Sequence, residues 1–206
     1  MNLGTVILAA GESARLGTPK QLLTFRGVTL LQRALDNALA LPEAPVALVL
    51  GANADQVRPN DLDSRVHIVE NPHWREGMGT SLRTGLQALL EAQPDLEAVI
   101  FLVCDQPLLA PAVLRDLADT HTQAGAPLVA CEYGGILGVP ALFARALFPE
   151  LLTLSGARGA RDVIRAHQRE AIGVPFEAGA IDIDTPADYE RLKHAHAHAH
   201  APASTA

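Results

Sequence analysis

The chain has 206 residues, 49% of them hydrophobic and 4% aromatic, and a formal net charge of -7, enough for one core built mainly of Leu, Val, Ile and Ala. The acidic balance and the lack of a Lys/Arg cluster exclude a polynucleotide-binding surface, and no run approaches the roughly eighteen apolar residues that span a bilayer. Cys104 and Cys131 sit in apolar runs without metal-ligand spacing, and no basic region followed by a long apolar stretch opens the chain, so a soluble cytoplasmic protein with buried thiols and no nucleic-acid or membrane partner is expected.

Thr5 to Leu8 is apolar and β-branched, and it breaks into LAAGESARLGTPK, Leu8 to Lys20. This predicts a buried strand ending in a backbone-rich loop. Gly11 and Gly17 are expected to let main-chain N–H groups converge on an anion, with Arg15 and Lys20 supplying charge. Two commoner phosphate loops are absent: Thr18 and Pro19 separate Gly17 from Lys20, unlike a P-loop, and no glycine stands two residues after Gly11, as a dinucleotide fingerprint requires. An ordinary strand-to-helix turn with two exposed basic residues meets the same pattern.

Gln21 to Arg26 reads as extended. Thr29 with Gln32 forms a capping box for a helix whose stripe is Leu31, Ala34, Leu35, Ala38 and Leu39, ended by Pro42. Strands over Val46–Leu50 and Val66–Val69 flank a short helix at Ala54–Val57, an order that predicts a parallel sheet with right-handed crossovers. NPHWREGMGTS, Asn71 to Ser81, leads into a helix with Leu82, Leu86, Leu89 and Leu90 inward. Gly77 and Gly79 just before it leave N–H groups for an anion or base; a loop capped by Thr80 or Ser81 is the other reading.

Ala98 to Val103 is a central strand that stops at CDQP, placing Asp105 at a strand's carboxyl end, either as a metal ligand or as a turn cap before Pro107. A helix over Pro111–Gln123 and a strand over Pro127–Cys131 follow. Gly134 to Pro140 reads as a loop over the site or an edge excursion, and Ala141–Leu147 as a helix. Arg158 and Arg161 open a further helix that runs to about His167, a position unfavourable with the dipole unless an anion is near. A strand over Ile172–Pro175 precedes extended Ile181–Asp184, then a helix with Thr185 as cap, Pro186 first and Asp188 completing the box. Asp182 and Asp184 alternate along the extended segment and are expected to face opposite ways, so that only one meets Asp105; Asp184 is favoured. From His194 to Ala206 a His/Ala-rich, disordered or frayed tail is expected to follow a single domain over residues 1–193.

LAAGESARLGTPKQLL, CDQP and DIDTPADY, in that order on one α/β chain, resemble the molybdopterin nucleotidyltransferase family, with the molybdenum cofactor cytidylyltransferases as the nearest match. The resemblance runs from Leu3 to about Leu192 and includes NPHWREGMGTSL and GARGAR. It implies a doubly wound, mostly parallel Rossmann-like sheet with helices on both faces, of the nucleotide-diphospho-sugar transferase kind, with one antiparallel strand near an edge. The implied reaction is transfer of CMP from CTP to the terminal phosphate of the molybdenum-molybdopterin cofactor, with pyrophosphate leaving, and the recipient molybdoenzyme as a further partner. Ala9, Ala10 and Gly11 would contact base and ribose, with Leu8, Glu12, Ser13, Gly79 and Ser81 alongside. Arg15 would hold the outer phosphates, Lys20 would reach the α-phosphate, and Asp105 and Asp184 would hold Mg²⁺. In the family an LAGG opening goes with guanine and AAG with cytosine, so Ala10 points to CTP. Leu16, Val139 and Ala157 depart from the usual Met, His and Asp. The last two leave open another phosphorylated acceptor, such as a sugar phosphate, or a non-catalytic cofactor-binding chaperone.

Overall fold

The computed structural model describes residues 1–198. Strand β1 (Leu3–Ala9) is buried at every position, as a strand covered on both faces must be. A 3-10 turn at Lys20–Leu22 and a short hairpin, β2 (Thr24–Phe25) and β3 (Val28–Thr29), occupy the stretch expected to be extended. The cap of α1 (Leu30–Leu39) is half of the expected box. Thr29 Oγ1 accepts from Gln32 N at 3.1 Å, but the Gln32 side chain turns to Asp36 at 2.8 Å.

Strand β4 (Val46–Leu50), α2 (Ala54–Val57), β5 (Val66–Glu70), α3 (Met78–Ala92), β6 (Ala98–Val103), α4 (Pro111–Ala124) and β7 (Leu128–Tyr133) then follow the predicted order. The next element does not. The segment read as a loop or an edge excursion, and then as a helix over Ala141–Leu147, is one nine-residue strand, β8 (Ile136–Ala144). Gly134 and Gly135, with φ of 57° and 74°, turn the chain straight back, a conformation that suits glycine. β8 thereby inserts antiparallel between β6 and β7. Burial of Ala141, Leu142 and Phe143 inside the sheet overrides the helical preference of Ala and Leu. Helical structure resumes only in a 3-10 turn at Arg145–Leu147 and in α5 (Phe148–Leu152).

The chain ends with α6 (Ala160–Ala166), β9 (Ala171–Pro175) and α7 (Pro186–His198). The expected box at the start of α7 is present: Thr185 N donates to Asp188 Oδ2 at 2.7 Å and Asp188 N to Thr185 Oγ1 at 3.3 Å. The helix carries past Lys193 to His198, into the His/Ala repeat; the rest of the expected tail, residues 199–206, lies outside the described residues.

The seven-stranded sheet has the order β5-β4-β1-β6-β8-β7-β9, with β8 antiparallel to its neighbours and third from the β9 edge. Helices α1, α2 and α4 pack one face through residues such as Leu35, Val57, Leu114 and Leu117. Helices α3, α5 and α6 pack the other through Leu82, Leu86, Leu151 and Val163. A third, smaller cluster joins the β2–β3 hairpin to α7 through Phe25, Leu30, Ile183 and Leu192. Both cysteines are free and buried, and burial pushes their thiols up to about 12. Among the described residues no helix is long and apolar enough to cross a membrane.

Candidate functional site

From β1 the chain winds outward through β4 and β5, then returns to β6 on the other side of β1. The carboxyl ends of β1 and β6 therefore flank the crevice where ligands gather in such sheets. The first strand delivers the Leu8–Lys20 loop there, and the second delivers Cys104 and Asp105. Asp184 arrives from much later in the chain. Ile183 beside it is fully buried in the third cluster, and its N–H donates to Asp105 O at 3.2 Å. Tyr189 Oη, donating to Thr24 O at 2.7 Å, holds the same corner shut.

Lys20 Nζ donates to Asp105 Oδ2 and to Asp184 Oδ1, both at 2.8 Å, and Arg15 donates to Asp184 Oδ2 at 2.7 Å. Burial pulls the Lys20 ammonium down, but the attraction of Asp105 and then Asp184 outweighs it and holds Lys20 above the ordinary lysine value. Asp184 is held below the usual carboxylate range by the Lys20 hydrogen bond, with the charges of Lys20 and Arg15 adding to it against burial. Asp182 goes the other way: burial raises it, and Asp105 and Asp184 add repulsion. Asp182 and Asp184 both line the same chamber, which corrects the expectation of opposite faces. In extended chain, residues two apart share a face, and Ile183 between them is the one turned to the core.

The loop gets its shape differently from the sequence expectation. Gly17 does take a positive φ, 71°, but the other left-handed residue is Ser13 at 58°, not Gly11. Ser13 Oγ accepts from Lys20 N at 3.0 Å, so Ser13 closes the loop onto the lysine. Sequence reasoning missed Gln21, which is 1% exposed. Its Nε2 donates to Ala9 O at 2.7 Å and Gly11 O at 3.2 Å, while Ala52 N donates to Ala10 O at 3.0 Å. The three carbonyls of the AAG turn are thus tied down by the protein itself. The only sequence signal for Gln21 is its position directly after Lys20.

A pocket of about 220 Å³ is lined by Leu8, Ala9, Ala10, Gly11, Gln21 and Ser81, by Gly77, whose main chain the sequence offers to an anion or base, and by Trp74 and Met78, which sequence reasoning had not assigned to a ligand. Ser81 Oγ and Thr80 Oγ1 accept from the buried Asn71 amide at 2.9 and 2.8 Å, which orients this wall. Gly79 does not reach the pocket. Helix α3 begins at Met78, so Gly79 lies in its first turn. There it packs against the Ser155–Arg158 loop, where an added Cβ would come within 2.5 Å of Arg158 O. The expected cap by Thr80 or Ser81 is likewise replaced by Gly77, with no side-chain cap. Glu12 is exposed and lines neither hollow. A second chamber, about 550 Å³, carries Arg15, Asp182, Asp184 and Arg161, with Val139 and Ala157 also on its wall. Leu8, Lys20, Met78, Val103 and Asp105 line both hollows, so the charged clamp stands where they meet.

No group of three or more His, Cys, Asp or Glu side chains among the described residues is placed to hold a metal ion. Asp105 and Asp184 nevertheless converge on one cationic atom, the Lys20 ammonium. Paired hard oxygens around one positive centre fit Mg²⁺ or Mn²⁺, which bind a few carboxylates and complete their shell with phosphate and water.

The family described as the MobA-like NTP transferase domain matches residues 5–171. The chain is 33% identical to the nicotine blue oxidoreductase of Paenarthrobacter nicotinovorans over 91% of its own length and 94% of that protein. It also aligns with the crystal structure of Rv0371c from Mycobacterium tuberculosis H37Rv at TM-score 0.76 and 34% identity, covering 93% of this chain and 97% of the other. A manganese complex of Rv0371c aligns at TM-score 0.74 and 31% identity, covering 93% and 98%.

Proposed function

From the premise that the chain belongs to the family of MobA-like NTP transferase domains, a nucleotidyltransferase family, we propose that it transfers CMP from CTP to the terminal phosphate of the molybdenum-molybdopterin cofactor. The observation that carries this is the clamp at the meeting of the two hollows, where Lys20 bridges Asp105 and Asp184 at 2.8 Å. An oxygen of the acceptor phosphate joins the α-phosphorus, the bond from that phosphorus toward the β-phosphate breaks, and pyrophosphate carries the electron pair away. A phosphate nucleophile is already ionised near neutral pH, so positioning and electrostatics supply the catalysis.

In this proposal the 220 Å³ pocket takes base and ribose, and the Ala10 methyl on its wall favours the smaller cytosine. Lys20, kept charged by its two acids, stands where negative charge accumulates in the transition state. Arg15, 70% exposed, has the reach to hold outer phosphates. Asp105 and Asp184 would hold Mg²⁺, which would supply positive charge against the phosphates and stabilise the charge that develops on the leaving pyrophosphate; the manganese complex of the Rv0371c relative supports a divalent ion.

The test is pyrophosphate release across the four nucleoside triphosphates, with and without molybdopterin, for the wild type and Asp105→Ala. CTP-selective, pterin-dependent release that Asp105→Ala abolishes is expected. Release unaffected by that substitution removes the metal assignment. A sugar 1-phosphate as acceptor is the second reading, favoured by Val139 and Ala157 on the chamber wall; turnover with it and none with the pterin would establish it. The same preparations are assayed for redox turnover, the activity in the name of the Paenarthrobacter relative. Redox turnover with no pyrophosphate from any triphosphate overturns the proposal.

A further inference from the structure

Beyond the crevice, a hollow of about 530 Å³ opens between α6, β9 and the β7–β8 hairpin. It is a continuation of the chamber, because Arg161 and Arg165 line both. Three hollows therefore lie in series. The first joins the second at Lys20 and Asp105, and the second joins the third at the two arginines.

The outer hollow has its own chemistry. Leu137, Ile164 and Ala171 supply apolar walls, and Ile136, 59% exposed, stands at its side. Glu132 reaches into it with a carboxylate that makes no hydrogen bond or ion pair among the described residues. The carboxylate lies across β9 at Gly173, where an added Cβ would come within 2.6 Å of Glu132 Oε2 and 3.3 Å of Leu137 Cδ2. Glycine at 173 is what leaves room for it.

We propose that the outer hollow seats the ring system of the acceptor, a flat heterocycle carrying adjacent N–H donors on one edge, with Glu132 accepting from that edge. An ionised carboxylate takes two parallel N–H donors. Aliphatic side chains cover flat faces, and a guanidinium such as that of Arg161 stacks on them while its charge faces a phosphate in the chamber. A 2-amino-4-oxo pyrimidine edge, as in a pterin, meets this description. A sugar 1-phosphate has no flat face and needs only the chamber. The direction of the acceptor, phosphate toward Lys20 and ring outward, rests on the nucleotidyl-transfer proposal; the binding of the ring does not.

The experiment titrates the full chain with 6-hydroxymethylpterin, followed by pterin fluorescence without nucleotide, for the wild type, Glu132→Gln and Gly173→Ala. Removing the charge from the acceptor should weaken binding about tenfold or more. Gly173→Ala, which displaces the carboxylate and narrows the floor, should weaken it in the same direction. CTP affinity should be unchanged in both. No binding by the wild type, or equal binding by Glu132→Gln, overturns the proposal. Asp105→Ala separates the two ideas. If pyrophosphate release ignores Asp105 while pterin binding depends on Glu132, the reaction fails and the ring site stands. If release depends on Asp105 and the probe ignores Glu132, the ring site fails alone.

Discussion

Replacing Lys20 by Met removes the ammonium and keeps most of the apolar stem. The lysine side chain is 15% exposed, and Asp105 and Asp184 are 21% and 33% exposed. Each carboxylate oxygen stood 2.8 Å from the lost nitrogen, so the two are no farther apart than twice that distance. Two unit charges about 5 Å apart at an effective dielectric of about 20 repel by about 3 kcal/mol. Partial exposure lets water and salt screen the pair, which brings the expected loss to about 2 kcal/mol. In a chain of this size that lowers Tm by about 4–8 °C. Urea melts at pH 7 measure the loss, and millimolar Mn²⁺ should restore stability in Lys20→Met more than in the wild type, because the cation takes the vacated point between the acids. Adding Asp105→Asn to Lys20→Met should recover most of the loss without metal. A variant within about 0.5 kcal/mol of wild type, indifferent to Mn²⁺ and to the second substitution, would refute the claim that the two carboxylates share one charge.

Gln21→Leu strips the bonds to Ala9 O and Gly11 O. It should cost about 2 kcal/mol in urea melts and raise KM for the nucleotide more than it lowers kcat, since the loop shapes the base pocket. The raised Asp182 carboxyl means that the folded chain holds that proton more firmly than the unfolded one. Its contribution makes stability fall as pH rises from the ordinary 3.8 through the folded value, so Asp182→Asn should remove that slope and stabilise the protein at pH 7. The depressed Asp184 acts oppositely: its contribution is present above 3.8 and lost as pH falls through the folded value, so Asp184→Asn should flatten the acid limb of the stability profile. Ala10→Gly should enlarge the 220 Å³ pocket and raise kcat/KM for GTP relative to CTP, read from pyrophosphate release; an unchanged ratio would separate the Ala10 methyl from base choice.

The parts of the fold legible in the sequence are those set by short-range pattern. Runs such as Val46–Leu50 and Ala98–Val103 admit little but buried strand, and the stripe Leu31–Ala34–Leu35–Ala38 little but a helix packed on one face. The failures are equally local in origin. PALFA has Ala and Leu at helical frequency, and only the antiparallel slot between β6 and β7 made it a strand. The sequence points to Gly11 and Gly17 as the special backbone positions; Gly17 takes a left-handed angle, but the other falls at Ser13, whose hydroxyl accepts from Lys20 N. Gln21 carried no motif of its own; its role exists only where a buried amide meets two carbonyls.

By itself the sequence determined the chemistry available: an anion-seeking loop with Arg15 and Lys20, an acid at the end of a central strand, and an acidic pair before a capped helix. These depend on residue type and on spacing within a dozen positions, which local sterics and capping decide. Only the tertiary structure decided which charges meet. Asp184 lies 164 residues from Lys20, and what brings them together is Ile183 buried against the β2–β3 hairpin and hydrogen-bonded to Asp105. It also decided that Asp182 shares the chamber and that Arg161 and Arg165 join it to an outer hollow. Long-range contacts of this kind are fixed by how apolar clusters close over one another, and no local pattern encodes that closure.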